Sequence, residues 1–263
     1  MTLSVVAKYP WGIMKSLPGG PGPEALLFVT DSLLTWKLPG VGYDYGEKLF
    51  PIGRNAAMAY AGSSYLASKA VPRLQRNFPP TSLVKAKTLT EEVQSEFAKA
   101  RWEIALDLVA LLGVYDPEVN RLILYGLDSC SSPPFYPHEL SGVHAIGSSK
   151  HVGELYKKKL DEFVWGGGRV VSDDPFEWLN FMAIVLRKTI ELEIASDIGG
   201  LVQTAIVDYK GFRWVSQAKW SPGKGTIEFT QRKNGGWQIV DKSGRVILRT
   251  MGINPWGIFK LAE

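Results

Sequence analysis

The sequence predicts an α+β fold in which two antiparallel sheets lie face to face between two helical layers, a four-layer αββα sandwich. Three observations predict it. Apolar strand patterns come in clusters joined by turn residues, helical patterns come in pairs between those clusters, and the chain reads strands, two helices, strands, two helices, strands. With 263 residues, 45% of them hydrophobic, the chain is long enough to bury one large core.

The first strand starts at the N-terminus, in Thr2-Leu3-Ser4-Val5-Val6-Ala7-Lys8-Tyr9. Prolines and glycines make Pro10 to Glu24 a long connection, because they remove donors and permit positive φ. Ala25 to Ser32 is a nearly all-apolar strand ending in a carboxylate, which predicts cover on both faces. Leu33 to Gly46 reads as loop. A hairpin follows, Lys48 to Ile52 and Ala56 to Gly62, turning at Gly53-Arg54-Asn55.

Helical composition runs from Ser63 to Phe78, with Pro72 expected to kink it or to mark its first turn. A second helix is expected from about Thr88 to Asp107. Thr88 and Glu91 have capping-box spacing there, and Val93, Phe97, Ala100 and Ile104 fall on one face. Leu108 to Tyr115 and Arg121 to Gly126 read as a hairpin, Cys130 to Leu140 as loop, and Gly142 to Gly147 as a short strand. Helical patterns resume at Lys150 to Phe163 and at Pro175 to about Ala195, the latter with Asp174 as cap. Leu201 to Asp208 and Phe212 to Ser216 close the main body as a hairpin. Beyond it, Thr226 to Gln231, Trp237 to Val240 and Arg245 to Arg249 alternate in strand fashion, a C-terminal β-meander. The expected division is a domain over 1–216 and an extension over 217–263.

Composition narrows the function. The net charge of +4 is spread without blocks of like charge, which gives nucleic acid little support as a partner. One cysteine, Cys130, excludes an intrachain disulfide and suits a reducing compartment. No apolar run reaches the roughly 18 residues of a membrane span, and the first strand lacks the basic flank of a signal peptide, so a cytoplasmic protein is expected. His138, His144 and His151 lack ligand spacing, so no metal site is expected. Gly166-Gly167-Gly168 matches no phosphate-binding or dinucleotide fingerprint, so no cofactor is expected either.

The residues left for chemistry are few. Thr2 is a hydroxyl nucleophile that gains a free α-amine if Met1 is removed. Taken singly, Asp31 is a strand-end turn former, Lys48 a solvated strand residue, Gly62 a turn glycine and Ser148 a helix cap. Their order and spacing say more. A strand opening on threonine is followed by a strand ending in Asp31-Ser32, then by Glu47-Lys48-Leu49-Phe50-Pro51-Ile52 and Met58-Ala59-Tyr60-Ala61-Gly62. Later come Ala145-Ile146-Gly147-Ser148 and Glu193-Ile194-Ala195-Ser196-Asp197-Ile198-Gly199-Gly200.

This series resembles a proteasome-type β-subunit, of the N-terminal nucleophile hydrolase superfamily. It is also similar to the peptidase subunit of the bacterial heat-shock protease. The resemblance spans about residues 2 to 216. It departs at Leu33, where the family often has arginine, at Ala195 and Ile198, where proteasomal members have serine and aspartate, and in the long Pro10–Glu24 connection.

What the resemblance implies is amide or peptide hydrolysis through an acyl-enzyme on Thr2. The terminal amine acts as base, Lys48 is a cation held by Asp31, the Gly62 N–H is the oxyanion donor, and Ser148 with Ser196 or Asp197 supports the amine. It implies a peptide or amide substrate and a homo-oligomer, and leaves any ATPase or regulator unknown. Two other readings stand beside it: a non-catalytic assembly subunit of the same fold, and a small-molecule amidase on the same scaffold.

Overall fold

β1 (Leu3–Tyr9) and β2 (Ala25–Asp31) pair antiparallel with Ser4 opposite Thr30 and Tyr9 opposite Ala25. In the computed structural model they form the centre of a five-stranded sheet ordered β10-β1-β2-β11-β12. The structure describes residues 3–10, 24–31, 33–34, 44–45, 47–103, 106–147, 153–158, 160, 174–191, 202–215, 228–231, 237–240 and 246–249. The flanking strands are β10 (Val143–Gly147), β11 (Val202–Asp208) and β12 (Gly211–Trp214). Every residue of β2 is buried, as its nearly all-apolar pattern predicts for a strand covered on both faces.

The second sheet is a meander, β5 (Leu49–Ile52), β6 (Ala56–Gly62), β7 (Leu108–Asp116), β8 (Arg121–Asp128) and β9 (His138–Leu140), in that spatial order. Three clusters of buried side chains define the layers. Val6, Leu26 and Phe28 of the first sheet meet Leu49, Ala57, Ala59 and Leu111 of the second. The outer face of the second sheet is covered by α1 (Ser64–Asn77) and α2 (Ala86–Glu103). The outer face of the first is covered by α3 (residues 153–158) and α4 (Pro175–Glu191), through Tyr156, Leu179, Met182 and Leu186. The order is helices, sheet, sheet, helices, with both sheets antiparallel.

The structure departs from the sequence expectation in several places. The segment expected as loop over Leu33–Gly46 contains a two-stranded ribbon, β3 (Leu33–Leu34) with β4 (Asp44–Tyr45). The loop expected over Cys130–Leu140 ends in β9, an edge strand whose His138 and Glu139 are exposed and so carry no apolar alternation to betray it. Pro72 lies well inside α1, past its first turn. Its missing N–H faces the exposed side of that helix, where water can satisfy the carbonyl it would have bonded.

α2 starts two residues before the capping-box Thr88, because Asp116 from the β7 end accepts the Ala86 N–H at 2.9 Å and does the capping from a distance. It ends before Asp107, and Ile104 lies outside the described residues. Asp174 caps α4 as expected, its carboxylate accepting from the Phe176 N–H at 2.9 Å. The tail strands β13 (Glu228–Gln231), β14 (Trp237–Val240) and β15 (Val246–Arg249) pair as a separate three-stranded meander.

Candidate functional site

Asp31 ends β2 where the strand register with β1 runs out, and its carboxylate turns back toward β1. Its Oδ1 accepts the Leu3 backbone N–H at 2.8 Å. Both oxygens also accept from the Lys48 ammonium, at 3.1 and 3.0 Å, and both side chains are wholly buried. Burying two such ions costs several kcal/mol each unless they meet in good geometry with further hydrogen bonds, so a pair like this marks a place where the charges are needed. Asp31 is thus shared between the backbone of the first strand and a cation carried by the other sheet.

Lys48 stands just before β5. Its carbonyl accepts the Tyr60 N–H at 3.1 Å. Its own N–H leaves the sheet and goes to Gln203 Oε1 on β11, at 3.0 Å. Two residues beyond Tyr60, about 7 Å along the strand, β6 ends at Gly62. That glycine has φ +105°, and a Cβ there would lie 2.5 Å from the Asp107 carbonyl oxygen, so the position admits glycine alone. Ser63 follows as the cap of α1, its Oγ accepting from Leu66 N–H at 3.1 Å. The backbone at Gly62 therefore turns from strand into a helix N-terminus, whose positive end favours developing negative charge.

Two further groups border the ion pair. Burial pushes the Glu47 carboxyl up to about 7. The Tyr60 phenol is pushed above its ordinary range, by burial first and then by the charges of Asp31 and Glu47. Tyr60 lies flat against Phe50, ring centroids 5.9 Å apart, and its hydroxyl donates to the Glu47 carbonyl at 3.5 Å.

Of the six residues singled out from sequence, the structure brings Asp31 and Lys48 into direct contact and sets Gly62 at the end of the strand beside Lys48. Thr2, Ser148 and Asp197 lie outside the described residues. Their described neighbours Leu3 and Gly147 are register partners across β1 and β10. Sequence reasoning missed Ser4, Thr30 and Gln203, although each left a signal. All three are polar residues within mostly apolar strands, and all three are buried.

Among the described residues there is no grouping of three or more metal-ligating side chains, and no helix is long and apolar enough to cross a membrane.

No family model matches the chain, and no curated protein matches it. Among solved structures, the chain is similar to the Gly-1 mutant of Anbu from Hyphomicrobium sp. strain MC1. The TM-score is 0.56 and the identity 16%, over 82% of this chain and 85% of that one. At that identity the likeness speaks for the fold. The chain has an α+β fold of two antiparallel sheets and helices, like that of Anbu.

Proposed function

We propose that the chain is a threonine-type N-terminal nucleophile hydrolase that cleaves peptide or amide bonds through Thr2 after loss of Met1, within a cytoplasmic homo-oligomer. The observation that carries this reading is the buried Asp31–Lys48 pair hydrogen-bonded to the N–H of Leu3, the residue next to Thr2. A cation is thereby held at the start of the first strand, where a terminal amine needs to stay neutral to accept a proton. That amine's ordinary pKa is about 7.7–8.0, and a neighbouring positive charge lowers it.

In this reading the Thr2 hydroxyl attacks the substrate carbonyl carbon while its proton passes to the terminal amine. The tetrahedral oxyanion is met by the Gly62 N–H. Collapse breaks the C–N bond, the leaving amine takes the proton, and an ester on Thr2 remains. Water, deprotonated by the same amine, then releases the acid. Ser148 and Asp197 support the amine. Residues 1–216 carry this chemistry, and 217–263 form an extension.

The test is intact-mass spectrometry before and after exposure to a β-lactone electrophile, with peptide mapping of the adduct. Loss of Met1 and one adduct on Thr2, absent in Thr2→Ala, is the expected result. Full retention of Met1, or labelling that survives Thr2→Ala, sinks the reading and leaves a non-catalytic assembly subunit in its place.

A further inference from the structure

Between the two sheets the facing side chains are mostly apolar. Lys8, whose ammonium donates to the Leu122 carbonyl at 2.6 Å, is one exception, and a row of three polar residues is another. Ser4, Thr30 and Gln203 stand side by side on β1, β2 and β11, since Ser4 is the register partner of Thr30, and Thr30 of Gln203. Each is buried. Ser4 Oγ and Thr30 Oγ1 are 2.6 Å apart, and Ser4 Oγ donates to the Tyr60 carbonyl at 3.2 Å. Thr30 Oγ1 also lies 3.2 Å from the Asp31 carbonyl and 3.4 Å from the Leu3 carbonyl; the Ser4 proton goes to the Tyr60 carbonyl in the arrangement where Thr30 donates to Ser4. Gln203 Oε1 accepts the Lys48 N–H at 3.0 Å. The row therefore takes hold of two backbone groups on the opposite sheet.

Those two groups belong together. In an antiparallel ladder a hydrogen-bonded pair exchanges both N–H···O bonds. Lys48 and Tyr60 are placed to be such a pair, continuing the register Leu49 with Ala59 and Phe50 with Met58. One bond is made, Tyr60 N–H to the Lys48 carbonyl. The two groups of the other are each engaged by the first sheet, the Lys48 N–H by Gln203 and the Tyr60 carbonyl by Ser4. The ladder is opened on one side at the residue whose ammonium meets Asp31.

We propose that Gln203, with the Ser4–Thr30 pair beside it, is a positioning residue: it draws the Lys48 backbone out of the β5–β6 ladder and so fixes where the Lys48 ammonium stands against Asp31. Its catalytic consequence rests on the function proposed above, while the positioning itself does not. An error of about 1 Å in a group of this kind is enough to cost on the order of a hundredfold in rate.

The test compares Gln203→Met, which keeps the length and removes the acceptor, with Gln203→Glu, which keeps an acceptor. Amide hydrogen exchange is read at Lys48, and Thr2 labelling by the β-lactone is followed against concentration. In Gln203→Met the Lys48 amide is expected to exchange at least about tenfold faster. The maximal labelling rate is expected to fall about tenfold or more, with little change in the half-saturating concentration. Gln203→Glu is expected to stay within about threefold of wild type on both measures.

An unchanged Lys48 amide in Gln203→Met overturns the inference. So does faster exchange accompanied by wild-type labelling. If Gln203→Met does not fold, Ser4→Ala releases the other half of the opened pair, and wild-type labelling in that variant is equally fatal. A wild-type protein that is never labelled defeats the proposed function instead, and the exchange at Lys48 still decides the positioning.

Discussion

Asp31 and Lys48 hold each other at hydrogen-bond distance with no exposure to water, so removing one leaves the other charge buried and uncompensated. Asp31→Asn or Lys48→Met is expected to cost about 3–5 kcal/mol, whereas the double variant Asp31→Leu/Lys48→Met recovers part of that loss, as apolar replacements of buried pairs commonly do. Urea unfolding of the three proteins checks the stability terms, and β-lactone labelling is expected to vanish in all of them.

Glu47 supplies a second residue-scale expectation, with the opposite pH sense from an ordinary paired carboxylate. Burial raises its carboxyl from 4.5 to about 7, so between those values the folded state holds a proton that the unfolded state has released. Wild-type stability therefore falls as pH rises through that window and levels off above it. Glu47→Gln has no such loss. Its stability relative to wild type is expected to grow by roughly 2–3 kcal/mol between about pH 4.5 and pH 7.5, after a discount for the partial exposure of the side chain. Thermal unfolding of both proteins across that range checks it; a pH-independent difference would contradict the assignment.

At the scale of elements, spacing decides. Gly113 of β7 lies under Phe28 and Leu26 of the facing sheet, and a Cβ there would come within 2.6 Å of the phenyl ring and 2.7 Å of the leucine methyl. Gly113→Ala is expected to destabilise by about 1–3 kcal/mol, the usual cost of overpacking, and Phe28→Leu in the same chain to relieve part of it. A double-mutant cycle by chemical denaturation measures that coupling, and strict additivity would count against this account of the spacing.

The helical layer is tied by different means. Glu96 of α2 is nearly buried and takes hydrogen bonds from Lys99 and from Arg73 of α1, at 2.7 and 3.5 Å. Those bonds, the one from Lys99 foremost, hold its carboxyl below the ordinary range. The two helices are thereby fixed over the sheet that carries Lys48 and Gly62.

For the whole molecule, the strands of both sheets other than β9 follow from local pattern. The nearly apolar run of β2, the small residues of β6 and the Asp174 cap of α4 were all legible in the chain. The chain also offered a list of chemically capable residues, and two of them, Asp31 and Lys48, lie in hydrogen-bond contact. β3, β4 and β9 were not legible. They are two or three residues long, too short to show an alternation, and their strand character comes from pairing with the adjacent strand.

By itself, then, the sequence determined which segments alternate, where they turn, and that a carboxylate ends one strand while a lysine opens another. It could not determine that Gln203 lies across from Lys48, because their contact spans 155 positions and two different sheets. Nor could it show that Ser4, Thr30 and Gln203 form one row, since registers across three strands exist only once those strands have paired. Local chemistry is written residue by residue, but a polar row facing an opened ladder is a property of two sheets brought face to face, and only burial brings them there.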